Sequence, residues 1–174
     1  PIKDFYGQFE GKTALVTGGT GGIGYAIAKR LQEAGCSVII LARNEEKLKL
    51  ASEQIGCSYR VLDITDVHDI KKVILEIYQT ESPSILVNSA GVMSKGRFGH
   101  VEVKDWDRVI NTNVRGLFFI TQEVSKMMIE RRIKGHILNL SSSSALRPCY
   151  SAYIVSKHLV RDLTQGFAKE LIKH

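Results

Sequence analysis

A chain of 174 residues, 44% hydrophobic and 24% charged, has ordinary globular proportions and is long enough for one domain with a full core. Its formal charge of +6 suits a multiply anionic ligand, but the 24 basic residues are mixed with 18 acids and form neither the cluster nor the aromatic ladder of a nucleic-acid binder. Cys36, Cys57 and Cys149 are odd in number and lack metal-ligand spacing, Pro1–Phe5 has no leader-like apolar core, and no apolar run has membrane-spanning length, so the expectation is a soluble cytoplasmic protein engaging neither nucleic acid nor membrane.

The first predicted unit is a strand from Thr13 to Thr17, a glycine-rich turn from Gly18 to Gly24, and a helix in which Ile23, Ile27, Ala28 and Leu31 recur at helical spacing. Such a turn lets the backbone lie against a ligand, and the helix start offers unpaired N–H groups to an anion, a dinucleotide pyrophosphate being the usual one. Three glycine spacings used by different nucleotide-binding families are satisfied together, so the turn alone leaves the class open.

Gly35 ends the first helix, and Ser37 to Leu41 reads as a second buried strand. Asn44 caps a helix through about Ile55, with Glu45 and Glu46 in its first turn, where the dipole favours acids. Tyr59 to Leu62 is a third strand. Asp66 caps a helix whose Val67, Ile70, Val73, Ile74 and Ile77 form one apolar stripe. Ser82-Pro83 breaks it, and a fourth strand, Ile85 to Val87, runs into Asn88-Ser89-Ala90-Gly91.

After a polar loop from Val92 to His100, one long helix is expected over about 103–132, with Trp106, Val109, Ile110, Val114, Leu117, Phe118, Thr121 and Val124 facing mainly inward. Gly135 stops it. His136 to Leu140 is a fifth strand, followed by the serines Ser141 to Ser144, a loop with Pro148, and a last helix from about Ser151 to Lys173. Alternating β and α elements predict an α/β fold with a doubly wound parallel sheet, in which ligands bind outside the carboxyl ends of the strands. Gly18 to Gly24, Arg43, Asp63, Asn88 to Gly91 and Ser141 to Ser144 all fall at such ends.

Tyr153 and Lys157, four apart on the last helix, project from one face. An ammonium beside a phenol stabilises the phenolate that a general acid/base needs, although the same spacing is common on ordinary helices. At the end of the second strand stand Ala42 and Arg43, where an Asp or Glu would bind an adenosine ribose 2′-OH. A guanidinium with no acid beside it in the sequence favours the 2′-phosphate, hence NADP(H) over NAD(H); a solvated arginine is the alternative.

Taken together, these motifs resemble the short-chain dehydrogenase/reductase family in its compact branch. Thr17-Gly18-x-x-x-Gly22-Ile23-Gly24 is similar to that branch's cofactor turn, Asn88-Ser89-Ala90-Gly91 to its Asn-Asn-Ala-Gly with one Asn replaced, and Asn111-Thr112-Asn113-Val114 to its helix motif. Ser142 with Tyr153-x-x-Ser156-Lys157 is similar to its active-site set.

The resemblance implies a Rossmann-like fold and a hydride-transferring oxidoreductase acting on a small carbonyl or secondary alcohol. It implies catalytic Asn113, Ser142, Tyr153 and Lys157, and cofactor binding by Gly18, Thr20, Gly22, Ile23, Gly24, Arg43, Asp63, Ile64, Asn88, Ala90 and Gly91, without a metal. Tyr153 would exchange the proton, Ser142 would hydrogen-bond the substrate oxygen, Lys157 would hold the nicotinamide ribose, and Asn113 would anchor a water chain to Lys157. Residues 1–174 would be one dinucleotide-binding and catalytic domain, roughly the first 70% of a family member with the last strands of its sheet missing, and the complete protein a homodimer or homotetramer. The Ser142 to Tyr153 interval is shorter than the family's usual one. A catalytically silent nucleotide-binding or scaffold protein of the same fold is the alternative.

Overall fold

The computed structural model describes residues 7–96 and 98–174; Pro1–Phe5, read above as no leader, lie outside them. Five parallel strands form one sheet: β1 (Thr13–Thr17), β2 (Ser37–Ala42), β3 (Ser58–Val61), β4 (Ile85–Asn88) and β5 (His136–Asn139), in the spatial order β3-β2-β1-β4-β5. Leu15 stands level with Ile39 on one side and Leu86 on the other, and Leu86 with Ile137. From β1 the chain winds outward through β2 to β3, then returns to place β4 beside β1. That reversal opens a crevice at the β1 and β4 carboxyl ends, where ligands bind in doubly wound sheets.

Strand alternation sends side chains to two faces, and each face builds its own core. Leu15, Ile39, Leu41 and Leu86 pack with Ile70, Ile74, Ile77, Ile120 and Val124, which belong to α3 (Val67–Thr80) and α5 (Leu117–Glu130). Ala14, Val16, Val38, Ile40 and Val87 pack with Ala28 of α1 (Gly22–Glu33) and Leu48 and Ala51 of α2 (Glu45–Ile55). The caps expected from sequence form: the Asn44 side chain accepts from the Lys47 backbone N–H at 2.8 Å, and that of Asp66 from His68 at 2.9 Å. α6 (Ala152–Leu171) begins after Ser151, whose hydroxyl accepts from the Ile154 backbone N–H at 3.3 Å.

The long helix expected over 103–132 is interrupted. α4 (Val103–Ile110) passes into a π-helical segment, Asn111–Gly116, before α5 resumes. The extra residue in that wide turn brings Asn113 fully inside. Trp106, expected to face inward, is 40% exposed. The third strand starts at Ser58, one residue before the expected Tyr59.

Candidate active site

A cleft of about 530 Å³ lies across the carboxyl ends of the strands, within the size range of ligand sites. Arg43, Asn44, Lys47, Asp63 and Ile64 line it beside β2 and β3. Gly18, Thr20 and Ile23 line it after β1, and Ala90, Gly91, Ser141, Tyr153 and Lys157 line the other end.

The glycine turn is built for close approach. Gly18 has φ +69, and a Cβ there would stand 2.9 Å from the Ala90 Cα, so only glycine lets the β1 and β4 ends touch. Thr17, buried just before it, fastens the same junction: its Oγ1 accepts the Ser89 and Ala90 backbone N–H groups, each at 3.1 Å. A Cβ on Gly24 would strike the Gly18 carbonyl oxygen, so glycine there seats the first turn of α1 against the loop. α1 starts after extended Gly21 with no side-chain cap, and its first N–H groups therefore remain available to an anion. These features fit the pyrophosphate of a dinucleotide.

At the other end, Lys157 is 8% exposed, and burial pushes its ammonium below the ordinary 10.5. Its Nζ donates to the Leu140 carbonyl at 2.7 Å and stands 5.7 Å from the centroid of the half-buried Tyr153 ring. A Cβ on Gly91 would stand 3.8 Å from that Nζ, at ordinary contact distance, and 3.3 Å from Asn113 Oδ1, which places the loop after β4 directly beside both side chains. Asn113 links three elements: its Oδ1 accepts the Val92 N–H at 2.8 Å, and its Nδ2 donates to the Val92 carbonyl at 2.9 Å and to Ser156 Oγ at 3.1 Å. Ser156 in turn donates to the Tyr153 carbonyl at 2.7 Å.

Of the residues expected at the site, Gly18, Thr20, Ile23, Arg43, Asp63, Ile64, Ala90, Gly91, Tyr153 and Lys157 line this one cleft. The remaining five do not. Gly22, at φ +54, and Gly24 shape the turn behind it. Asn88 is buried between β5 and α5, its Nδ2 donating to Asn139 Oδ1 at 2.8 Å and Thr121 Oγ1 at 2.9 Å. Asn113 reaches the cleft wall through Val92, not directly. Ser142 Oγ accepts the Ser144 N–H at 3.1 Å in a 3-10 turn and lies by a separate groove with Arg161 and Gln165; its neighbour Ser141 lines both that groove and the cleft, its hydroxyl donating to the Lys157 carbonyl at 3.0 Å.

The fold also gives Arg43 an acid that its sequence neighbours lack: Asp63 Oδ2 stands 4.0 Å from its Nη1. Asp63 itself accepts from the Thr65 backbone N–H at 2.9 Å and hydroxyl at 2.8 Å, closing the turn after β3. Asn44, Lys47, Val92 and Met93 line the cleft without being expected there from the sequence, and Ser141 lines it although the sequence marks only its place at a strand end. Val92 and Met93 are the two residues after the Asn88–Gly91 motif and Ser141 follows the expected fifth strand, which is the signal that could have drawn attention to them.

A sequence profile described as short chain dehydrogenase matches residues 12–174. The gluconate 5-dehydrogenase of Gluconobacter oxydans is 36% identical over 96% of this chain, which spans 68% of that protein. Among solved structures, a variant of actinorhodin polyketide ketoreductase crystallised with NADPH superposes with a TM-score of 0.86 at 32% identity, covering 92% of this chain and 65% of the ketoreductase. A short-chain type dehydrogenase/reductase from Mycobacterium ulcerans gives 0.87 at 30% identity, covering 94% of this chain and 63% of its own.

Proposed function

The chain belongs to the short chain dehydrogenase family, and we propose that it is the dinucleotide-binding and catalytic portion of an NADP(H)-dependent oxidoreductase interconverting a carbonyl and a secondary alcohol. The observation that carries this reading is the convergence of Tyr153 and Lys157 on the cleft that also holds the glycine turn. Bound nicotinamide dinucleotide supplies the hydride chemistry. The N-terminus of α1 and the Gly18 turn hold the pyrophosphate, Asp63 and Ile64 flank the adenine, and Arg43 meets the adenosine 2′-phosphate. The ketoreductase solved with NADPH supports that choice of cofactor.

Tyr153 gives its phenolic proton to the carbonyl oxygen in reduction and takes it back in oxidation. Lys157 holds the nicotinamide ribose and keeps its ammonium beside the phenol. Asn113 secures Val92 and Ser156 on either side of this pair, and with it the place of a water chain to Lys157. Ser142 donates to the substrate oxygen: its oxygen accepts the Ser144 N–H, which leaves the hydroxyl proton free, and the step requires the substrate to reach over from the cleft to the groove beside Ser142. Ser141, which also lines the cleft, is the second candidate for that role once its hydroxyl leaves the Lys157 carbonyl.

The test is a panel of carbonyl compounds with NADPH oxidation as the readout. Tyr153→Phe is expected to keep nucleotide affinity and lose at least about 100-fold in turnover; near-normal turnover would end this mechanism. Ser142→Ala and Ser141→Ala, compared side by side, identify the serine by which one lowers kcat.

A further inference from the structure

The loop after β4 is fastened at a second place, away from Asn113. Asp105 and Arg108 stand one turn apart on α4 and both reach back to it. Asp105 Oδ2 accepts from the Ser94 hydroxyl at 2.9 Å and from the Lys95 backbone N–H at 2.8 Å. Arg108 Nη2 donates to the Met93 carbonyl at 2.5 Å and to Asp105 Oδ1 at 2.7 Å. Two side chains thus fix three consecutive residues through three hydrogen bonds, and a fourth joins the two side chains to each other. The Asp105 side chain is only 10% exposed, and the Arg108 guanidinium, with the Lys95 N–H next, holds its carboxyl far below the usual carboxylate range, so it stays charged at neutral pH.

The fastened residues are part of the cleft. Gly91, Val92 and Met93 line it in succession, and a Cβ on Gly91 would stand 3.8 Å from Lys157 Nζ, which puts this wall beside the lysine. Met93 is 64% exposed, so apolar packing does not hold it. Asn113 holds the loop at Val92, and beyond Val92 the hold is the Asp105–Arg108 clamp. Arg43 and Asp63, the proposed adenosine end, follow β2 and β3, on the far side of β1 from this loop in the sheet order.

We propose that Asp105 and Arg108 are positioning residues: by clamping Met93 to Lys95 onto α4 they set the wall of the cleft at its Tyr153 end, and with it the affinity for the nicotinamide half of the dinucleotide. The inference rests on the dinucleotide reading above. It requires that the adenosine half be indifferent to the clamp.

The experiment compares NADPH with 2′,5′-ADP, which carries the adenosine end alone, on the full chain by titration calorimetry. Asp105→Asn keeps the shape and removes the charge. It is expected to weaken NADPH about tenfold while leaving 2′,5′-ADP within about twofold. Amide hydrogen exchange is expected to accelerate at Met93 to Lys95 in the same variant. Arg108→Gln and Ser94→Ala, each removing part of the clamp, provide the comparison should Asp105→Asn fold poorly, and are expected to show the same selectivity at smaller size.

Equal loss for both ligands, or unchanged NADPH affinity with faster exchange, overturns the proposal. Wild-type protein that binds both ligands while the variants keep their ratio sinks the clamp alone. Wild-type protein that binds neither ligand sinks the dinucleotide reading and this inference with it.

Discussion

Arg43 has one acidic partner in the structure, and under the proposed function it would exchange it for a phosphate. In the structure it faces Asp63 across 4.0 Å with both side chains well exposed, an ion pair too open and too long to contribute much. A phosphate at the same place offers shorter charge-assisted bonds. Arg43→Asp is therefore expected to shift the preference from NADPH toward NADH by about 1.5–3 kcal/mol, read from the two dissociation constants. Equal effects on both cofactors would show that Arg43 does not read the 2′-phosphate. Lys157 presents a different cost. Its buried ammonium binds its proton less tightly than in the unfolded chain, so the folded state is penalised while the group is charged, and the penalty is relieved as pH rises from the lowered folded value toward 10.5. Lys157→Met removes that penalty at every pH. The stability advantage of the variant over wild type, from denaturant melts, is expected to be largest at neutral pH and to shrink toward pH 10.5; a constant advantage would mean that burial does not perturb this lysine.

The π-helical segment is the element on which the site's geometry turns. It seats Asn113 where both amide atoms are used, and it presses Gly116 against the loop after β3. A Cβ on Gly116 would lie 2.5 Å from the Ile64 carbonyl oxygen and 3.0 Å from the Ile64 Cγ1. Alanine normally favours a helix over glycine by about 1 kcal/mol, but here the clash with backbone outweighs that gain. Gly116→Ala is expected to destabilise the protein by about 1–3 kcal/mol in urea melts, with NADPH affinity falling as Ile64 is displaced. An unchanged midpoint would show that the β3 loop yields freely. Apolar spacing alone cannot mark such a segment, because one wide turn leaves the flanking α-helical periodicity intact.

Across the whole molecule the sheet is central and unevenly covered. β1, β2 and β4 each have a strand on both sides, whereas β3 and β5 are the two edges, β3 paired only with β2 and β5 only with β4 among the described residues. Leu138, in the middle of β5, is 52% exposed. An unpaired apolar edge invites pairing with another copy, and a lysine there is a common safeguard. Leu138→Lys in the 174-residue polypeptide is expected to lower self-association, measured by light scattering at matched concentration, without lowering the melting temperature. Unchanged scattering would place association elsewhere. No helix among the described residues is long and apolar enough to cross a membrane.

What the sequence determined by itself was local. The β1 strand, the glycine turn and α1, the Asn44 and Asp66 caps, and the four-residue spacing of Tyr153 and Lys157 depend on neighbours within a few positions, and composition records such neighbours directly. The alternation of strand and helix carried the fold class and, with it, which strand ends share a cleft. Tertiary structure alone decided the contacts between distant segments. Thr17 meets the Ser89 N–H across 72 positions of chain, Asp63 comes to Arg43, and Ser94 comes to Asp105. It also placed Ser141 at the border of the cleft, bonded to the Lys157 carbonyl, and Ser142 in a turn outside it, a choice made by backbone direction after β5 rather than by residue type. Side chains of one kind stand side by side in the sequence, and only the path of the backbone through space determines which of them faces the ligand.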